Sequence, residues 1–225
     1  MRLNKSTILL VSLITTPVVF ANSNIDFSDS SQHYTGFNLG YGSNDFDVGV
    51  QYAKPINADW SFMGSYGGSN NFDTHELGID LKHNNQLGFS FEYLYDTAYD
   101  STDLRANDFA FSAYKVKEMN KHVTFTPKLS VGNFKHQQMS SSVYYTTAEL
   151  DMTYKVNNNI WLGVTPEYTY SFSHINEKNG DRSKWRDWDY SAEVGYQIDN
   201  SSAFVYSYHY DDGDNLSLFS FKHTF

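Results

Sequence analysis

Residues 188–198 read WDYSAEVGYQI, an unbroken alternation of apolar and polar residues that decides the fold. Successive side chains of a β-strand point to opposite faces, so this stretch predicts a strand with one apolar and one polar face. The apolar face runs from Trp188 to Ile198. The polar face carries Asp189, Ser191, Glu193, Gly195 and Gln197. One side of this strand therefore favours hydrocarbon, and the other favours water.

The same alternation recurs along almost the whole chain, in segments separated by polar links. The predicted strands are 34–41, 46–52, 60–66, 77–81, 87–96, 108–116, 123–131, 144–156, 162–172, 188–198, 203–210 and 216–225. This pattern predicts an all-β, antiparallel up-and-down sheet of twelve strands, with ten as the alternative count. Within 108–116 the phase changes, because Phe109 and Phe111 fall on one face whereas Tyr114 and Val116 fall on the other. That change predicts a β-bulge.

The beginning of the chain has the pattern of an export signal. Arg2 and Lys5 precede an apolar run that ends at Ala21, which predicts a cleavable signal peptide over residues 1–21 and a single mature domain over 22–225. The apolar run is too short for a transmembrane helix, and no later stretch reaches the roughly 18 to 20 apolar residues that such a helix needs. The mature chain is therefore either soluble or crosses a membrane as strands.

Composition favours the second of these alternatives. The chain holds 18 Tyr and 17 Phe although its mean hydropathy is negative. This combination suits strands that turn aromatic residues to lipid and polar residues to an aqueous interior, whereas a soluble β-sandwich would expose fewer aromatic residues. In hydrocarbon every backbone polar group must be paired, so the sheet is expected to close into a transmembrane barrel. The absence of cysteine excludes disulfides and thiolate metal sites, and the net charge of -10 argues against a nucleic-acid partner.

The links between the predicted strands alternate in character. Compact turns are predicted at 55–57, 84–85, 119–120, 157–159 and 199–200, and the six links between them are longer and polar, the longest from 174 to 184. Short turns normally face the periplasm, so both termini are expected there. Six lysines flank the compact turns, where they can reach inner-leaflet phosphates: Lys54, Lys82, Lys115, Lys117, Lys121 and Lys155.

Both ends of the mature chain resemble those of known membrane barrels. Residues 218–225, LFSFKHTF, end in Phe225 with Phe219 and Phe221 in the same phase. This ending resembles the signal by which the barrel-assembly machinery recognises outer-membrane proteins of Gram-negative bacteria, and residues 34–42, YTGFNLGYG, resemble the first strand of such barrels. In length and strand count the chain is similar to the small twelve-stranded oligogalacturonate-type channels of the porin-like superfamily. The resemblance implies an outer-membrane monomer, with the assembly machinery, membrane lipid and lipopolysaccharide as its partners.

The polar faces are mostly acidic, in contrast to the basic lumen of the oligogalacturonate channels. The predicted pore-lining residues are Glu76, Asp80, Glu92, Lys128, Glu149, Asp151, Glu167, Asp189 and Glu193. Carboxylates in a narrow tube of low dielectric favour cations over anions. One expectation is therefore a porin-like channel for passive diffusion of small hydrophilic solutes with a cation preference. The alternative is a non-conducting barrel, filled by its own side chains, with a structural, adhesive or receptor role.

A remote alternative is a hydrolase at the outer rim. His209 and Asp211 lie two apart on one strand, and Asp187 and Asp189 do so on the preceding strand, which is similar to the Asp-His and Asp-Asp pairs of omptin proteases. Such pairs also arise by chance where every second residue is polar. We therefore expect no enzyme, no catalytic residue, no cofactor and no bound metal, although the acidic run 211–214 would suit Ca²⁺ without having EF-hand spacing.

Overall fold

The computed structural model describes residues 25–43, 45–99, 104–211 and 214–225. The predicted signal peptide lies outside these residues. Among the described residues the helical structure is a single 3-10 turn, Asn70–Phe72, and no helix there is long and apolar enough to cross a membrane.

The described chain forms twelve antiparallel strands that close into a barrel, as predicted, and the alternative count of ten is wrong. The strands are β1 Gly36–Gly42, β2 Asp45–Pro55, β3 Trp60–Ser69, β4 Thr74–His83, β5 Leu87–Tyr99, β6 Leu104–Lys115 with its continuation Lys117–Asn120, β7 Val123–His136, β8 Val143–Lys155, β9 Ile160–Ser171, β10 Arg186–Asp199, β11 Ser202–Asp211 and β12 Asp214–Thr224. Each strand pairs with the next along the chain. The ring closes where β1 pairs with β12, from Gly36 opposite Thr224 to Gly42 opposite Leu218.

The two faces of the barrel differ as the alternation predicts. On β11, Phe204 and Tyr206 are exposed on the outside, whereas Ala203 and Val205, which alternate with them, are buried inside. Inward positions elsewhere hold small hydroxyl residues, among them Ser112 and Ser130, whose hydroxyls lie 2.8 Å apart across β6 and β7. Apolar side chains that would be costly to expose to water thus form an outer belt suited to hydrocarbon.

The predicted bulge in residues 108–116 is wrong. Pairing of β6 with β7 runs without a shift from Ala106 opposite His136 to Tyr114 opposite Lys128, and it keeps the same register at Lys117. Tyr114 and Val116 are inward-facing and buried, so the apparent phase change is an aromatic residue on the lumen side rather than an extra residue. Register shifts occur instead near the strand ends, at 96–99, 118–120 and 197–199.

The predicted compact turns lie at one end of the barrel, but the expected contrast in length holds only in part. At the other end two links, 43–44 and 212–213, have two residues each, whereas the longest link spans 172–185. One turn is displaced from its predicted position. Met119 and Asn120 end β6, and the turn itself is Lys121 and His122. The side-chain oxygen of Asn120 accepts hydrogen bonds from the backbone N–H groups of His122, at 2.8 Å, and Val123, at 3.1 Å. Asn120 therefore initiates the turn from the last position of the strand.

Three large aromatic residues fit on the inner face because each lies over a glycine of the neighbouring strand. Tyr145 is directly opposite Gly132, and a Cβ on that glycine would lie only 2.2 Å from the Tyr145 ring. Tyr114 lies over Gly88 and Trp161 over Gly195 in the same way. The rings pack flat on the wall and cover backbone that glycine leaves bare. Their hydroxyl or N–H groups then reach acceptors further along the wall.

Adding a methyl group at Gly132 should destabilise the barrel. The Tyr145 ring would have to move, and its hydrogen bond to Asp108, 2.7 Å long, would be lost. We expect Gly132→Ala to cost about 1–3 kcal/mol, as overpacking of a filled site does. The measurement is the denaturant midpoint at which the folded, fast-migrating band disappears on unboiled gels.

The matched control is Gly67→Ala, since a Cβ at Gly67 meets its nearest atom at an ordinary 3.7 Å. This variant should unfold at the same denaturant concentration as the unsubstituted protein, within error. Equal denaturant midpoints for the unsubstituted protein and both variants would show that the Tyr145 ring does not require a glycine at position 132.

Candidate functional site

A row of charged side chains crosses the inner wall at the same height on four neighbouring strands. Lys128 on β7 is directly opposite Glu149 on β8, Glu149 is opposite Glu167 on β9, and Glu167 is opposite Asp189 on β10. We call these four residues the acidic row. Side chains directly opposite each other in an antiparallel pair have Cβ atoms roughly 5 Å apart, and like charges at that spacing repel. The row therefore concentrates negative charge on one part of the lumen wall.

Lys128 is the cation that offsets part of this charge. Its Nζ lies 3.4 Å from Oε2 of Glu149 and 3.8 Å from Oε1 of Glu92. Glu92 is two strands away on β5, so the lysine side chain reaches across β6 to contact it. One ammonium group is thus shared by two carboxylates, and the rest of the acidic row extends away from it.

A cavity of about 250 Å³ lies beside the acidic row inside the barrel. Its wall includes six of the nine residues predicted to line the pore: Glu76, Asp80, Glu92, Lys128, Glu149 and Asp151. Five of these six are carboxylates, so the wall of the cavity is predominantly acidic. Glu167 and Asp189 continue the acidic row next to it.

Three of the predicted pore-lining carboxylates are held by hydrogen bonds to the structure around them. Glu193 accepts a hydrogen bond from the indole N–H of Trp161 at 2.6 Å. Asp80 accepts one from the hydroxyl of Tyr114 at 2.7 Å. Asp151 accepts one from the hydroxyl of Ser30 at 2.5 Å. Asp80 and Asp151 therefore border the cavity while holding neighbouring groups, and Glu76, Glu92 and Glu149 supply the other carboxylates of the cavity wall.

Residues 25–35, here called the N-terminal segment, lie inside the barrel at the end with the compact turns. Ile25 and Phe27 are buried against a cluster of apolar inward side chains: Trp161, Ala203 and Val205. Sequence reasoning missed this placement, because a short irregular segment has no periodicity. The available signal was the pair of apolar residues in a polar stretch, together with apolar residues on inward positions of β9 and β11.

Polar contacts fix the rest of the N-terminal segment. Lys155 forms an ion pair with Asp26, and Lys82 donates to the backbone oxygen of Ser31 at 3.1 Å and to its hydroxyl at 2.7 Å. The His33 ring lies 2.6 Å from Asp80. Two of the six lysines that were predicted to reach lipid phosphates therefore point into the lumen and hold this segment.

These contacts and burial set the protonation states of Asp26 and Tyr34. Burial raises the pKa of the Asp26 carboxyl, but hydrogen bonds from Lys155 and Ser28 and the charge of Lys155 outweigh burial and place that pKa below its ordinary value. Asp26 is therefore a carboxylate at neutral pH. Burial raises the pKa of Tyr34, which keeps its phenol neutral beside Phe27.

The longest link folds back over the wall at the other end of the barrel. Ile175–Asn176 pairs with Arg182–Ser183 to form a short hairpin within it. Ile175 and Met139 pack with inward residues of β6 to β8 in one apolar cluster, which also contains Ala106, Phe134, Val143 and Tyr145. The His136 ring and the Glu177 carboxylate approach to 3.0 Å. Both ends of the lumen are thus narrowed by chain that is not part of the sheet.

The residues singled out for hydrolysis are not brought together among the side chains described. His209 borders a second cavity, of about 190 Å³, with Asp47 and Ser207, and no described carboxylate hydrogen-bonds to it. Asp187 accepts a bond from the backbone N–H of Arg186 at 3.3 Å. The acidic run 211–214 lies partly outside the described residues. Within the residues described, no group of three or more His, Asp or Glu side chains could hold a metal ion.

Comparisons with known proteins show which solved barrels share this fold. No protein-family model and no curated protein matches the chain. Among solved structures, an outer membrane channel from Pseudomonas putida F1 matches with a TM-score of 0.62 at 8% identity, covering 91% of this chain and 98% of that one. The NanC porin matches with a TM-score of 0.56 at 11% identity, covering 85% and 98%. The KdgM porin in complex with disordered oligogalacturonate matches with a TM-score of 0.52 at 7% identity, again covering 85% and 98%. At these identities the likeness is one of fold, and the chain has the fold of the outer-membrane porin-type barrels.

Proposed function

We propose that this protein is an outer-membrane channel for the passive diffusion of small hydrophilic solutes, with a preference for cations. The observation that carries the proposal is the acidic row, where three carboxylates and a single lysine face the lumen. Protein and lipid of low dielectric surround the row, so its field is focused into the lumen rather than screened by bulk water. Cations entering the barrel are attracted, and anions are repelled.

The proposed size of the solute is limited because the lumen is narrowed at both ends of the barrel. The N-terminal segment occupies the lumen at one end, and the folded link occupies it at the other. Small ions and small polar molecules fit a cavity of about 250 Å³ between them, whereas long chains do not. The KdgM porin was solved with oligogalacturonate, a polyanion, but the acidic row here disfavours such a solute. The proposed role is non-catalytic and requires no cofactor.

The proposed surroundings are those of other outer-membrane barrels. Outward aromatic residues such as Trp188 and Tyr190 provide the surface for membrane lipid and lipopolysaccharide. Its proposed insertion into the membrane is by the barrel-assembly machinery, as for other outer-membrane barrels. The ring of twelve strands is complete within one chain, so the barrel closes without a second copy, and the proposed state is a monomer.

We expect purified protein in planar bilayers to conduct, with a reversal potential under a KCl gradient that is shifted toward the potassium equilibrium potential. The physical reason is the excess of carboxylates on the lumen wall. Selectivity for chloride would contradict the cation preference. A barrel that inserts but neither conducts nor allows liposomes to swell in small sugars would support the non-conducting alternative instead.

Lys128 offers a direct test of the acidic row. Lys128→Met removes the cation shared by Glu92 and Glu149, so the ratio of potassium to chloride permeability should rise. The barrel should also lose about 1–2 kcal/mol of stability, because two half-buried carboxylates lose their partner. The complementary variant Glu167→Gln should lower the permeability ratio.

The matched control is Lys135→Met on the same strand, since Lys135 is exposed and flanked by the inward-facing residues Phe134 and His136. It removes the same charge from the outer surface, and the reversal potential should not change. An equal shift for the Lys128 and Lys135 variants would show that selectivity is set by the net charge of the protein rather than by the lumen.

A further inference from the structure

We propose that the N-terminal segment is a gate: it closes the lumen at the end with the compact turns and leaves that position reversibly to let solute pass. The inference rests on the proposed channel function and adds its regulation.

The segment crosses the lumen instead of following one wall. Lys82 on β4 binds Ser31, and the side-chain amide of Gln197 on β10 donates to the backbone oxygen of Ile25 at 2.8 Å. In a ring of twelve strands β4 and β10 are diametrically opposite. A chain attached to both walls lies across the path that a solute must take.

The segment keeps a compact shape through its own turns. The backbone N–H of Asp29 donates to the oxygen of Asp26, and that of Gln32 donates to the oxygen of Asp29, each at 3.0 Å. Ser28 and Ser31 bind the carboxylates of Asp26 and Asp29, the second of them at 2.6 Å. With these turns the segment is compact. It occupies part of the cross-section of the lumen, and it is able to move as one unit.

Its attachment to the wall is made of side chains rather than of a sheet ladder. From Ile25 to Tyr34 the described backbone makes one hydrogen bond to the backbone of the barrel, from the N–H of Ile25 to the oxygen of Asn200 at 3.3 Å. The ion pairs to Lys155 and Lys82 are partly exposed, with Asp26 at 44% and Asp29 at 31% side-chain exposure. Release of the segment therefore breaks no strand pairing, and local opening of this kind costs less than unfolding.

The gate and the cavity share two carboxylates. Asp151 binds Ser30 and Asp80 binds His33, and all four residues border the cavity. A cationic solute in the cavity would compete with Ser30 and His33 for these same oxygens. Occupation of the cavity and release of the segment are thereby linked, so solute itself would favour opening.

A reversible disulfide tests the gate. The chain has no cysteine, so Ile25→Cys with Asn200→Cys introduces a single possible pair at a backbone contact of 3.3 Å. In planar bilayers we expect the oxidised protein to remain at a low conductance and reductant to raise the mean conductance at least threefold. Each single-cysteine variant is the control and should ignore reductant. Equal conductance in the oxidised and reduced protein would overturn the proposal.

A second pair of variants weakens the attachment instead of locking it. Lys82→Met with Lys155→Met should at least double the fraction of time spent at high conductance. The matched control is Lys54→Met, which removes a charge at the same end of the barrel, where Lys54 is exposed. If the double variant gates as the unsubstituted protein does, the ion pairs do not hold a gate.

A readout that needs no conductance separates this inference from the channel function. Ser28 is buried, so Ser28→Cys should react slowly with a membrane-impermeant maleimide and at least tenfold faster when the two lysine substitutions are added. A non-conducting barrel that still shows this acceleration would refute the channel but uphold a releasable segment. Slow labelling that the lysine substitutions leave unchanged would overturn the gate whether or not the barrel conducts.

Discussion

The structure depends on one constraint, which is that a backbone polar group in hydrocarbon must find its hydrogen-bond partner within the protein. A sheet satisfies this only if its first and last strands pair, as β1 and β12 do over seven residue pairs. Closure in turn gives the sheet an outer surface and a lumen wall. The outer surface carries Trp, Tyr and Phe because lipid solvates these side chains, and the remaining side chains must fit on the lumen wall.

That second requirement explains the character of the lumen. Inward positions are filled by serine and threonine, by aromatic rings laid flat over glycines, and by charged residues that face one another across strands. The acidic row is a consequence of register, since Glu149, Glu167 and Asp189 meet only because three strands align at one height. Closure of the sheet therefore pairs the backbone hydrogen-bonding groups and also aligns the carboxylates whose electrostatic field the proposed channel uses.

Much of this could be predicted from the sequence, and the failures have physical reasons. Period-two alternation gives the strands, their number and the division of residues between the two faces of the sheet, because the alternation of side chains is a property of the strand itself. It misleads at Tyr114, where an aromatic residue points inward because Gly88 on the neighbouring strand makes room for its ring. Pairing between strands is not visible in the periodicity of either one.

The placement of the N-terminal segment, and of the lysines that hold it, was also beyond prediction. Ile25 and Phe27 are buried only because the inner wall offers apolar residues from β9 and β11, far away in sequence. Lys82 and Lys155 were expected to reach lipid, yet they face inward to Ser31 and Asp26. Both cases depend on tertiary contacts between distant segments, and the narrowing of the lumen is therefore a property of the folded barrel.

Closure of the ring is the claim that can be tested most directly, in a chain without cysteine. Asn38 on β1 is directly opposite Lys222 on β12, and directly opposed residues have Cα atoms about 4.5–5.5 Å apart, within the range of a disulfide. The variant Asn38→Cys with Lys222→Cys should form a disulfide quantitatively in the folded, detergent-solubilised protein. The variant Asn38→Cys with Phe221→Cys, which places the thiols on opposite faces, should not. A folded protein in which the first pair stays reduced under oxidant, or in which both pairs link equally, would contradict a closed sheet in this register.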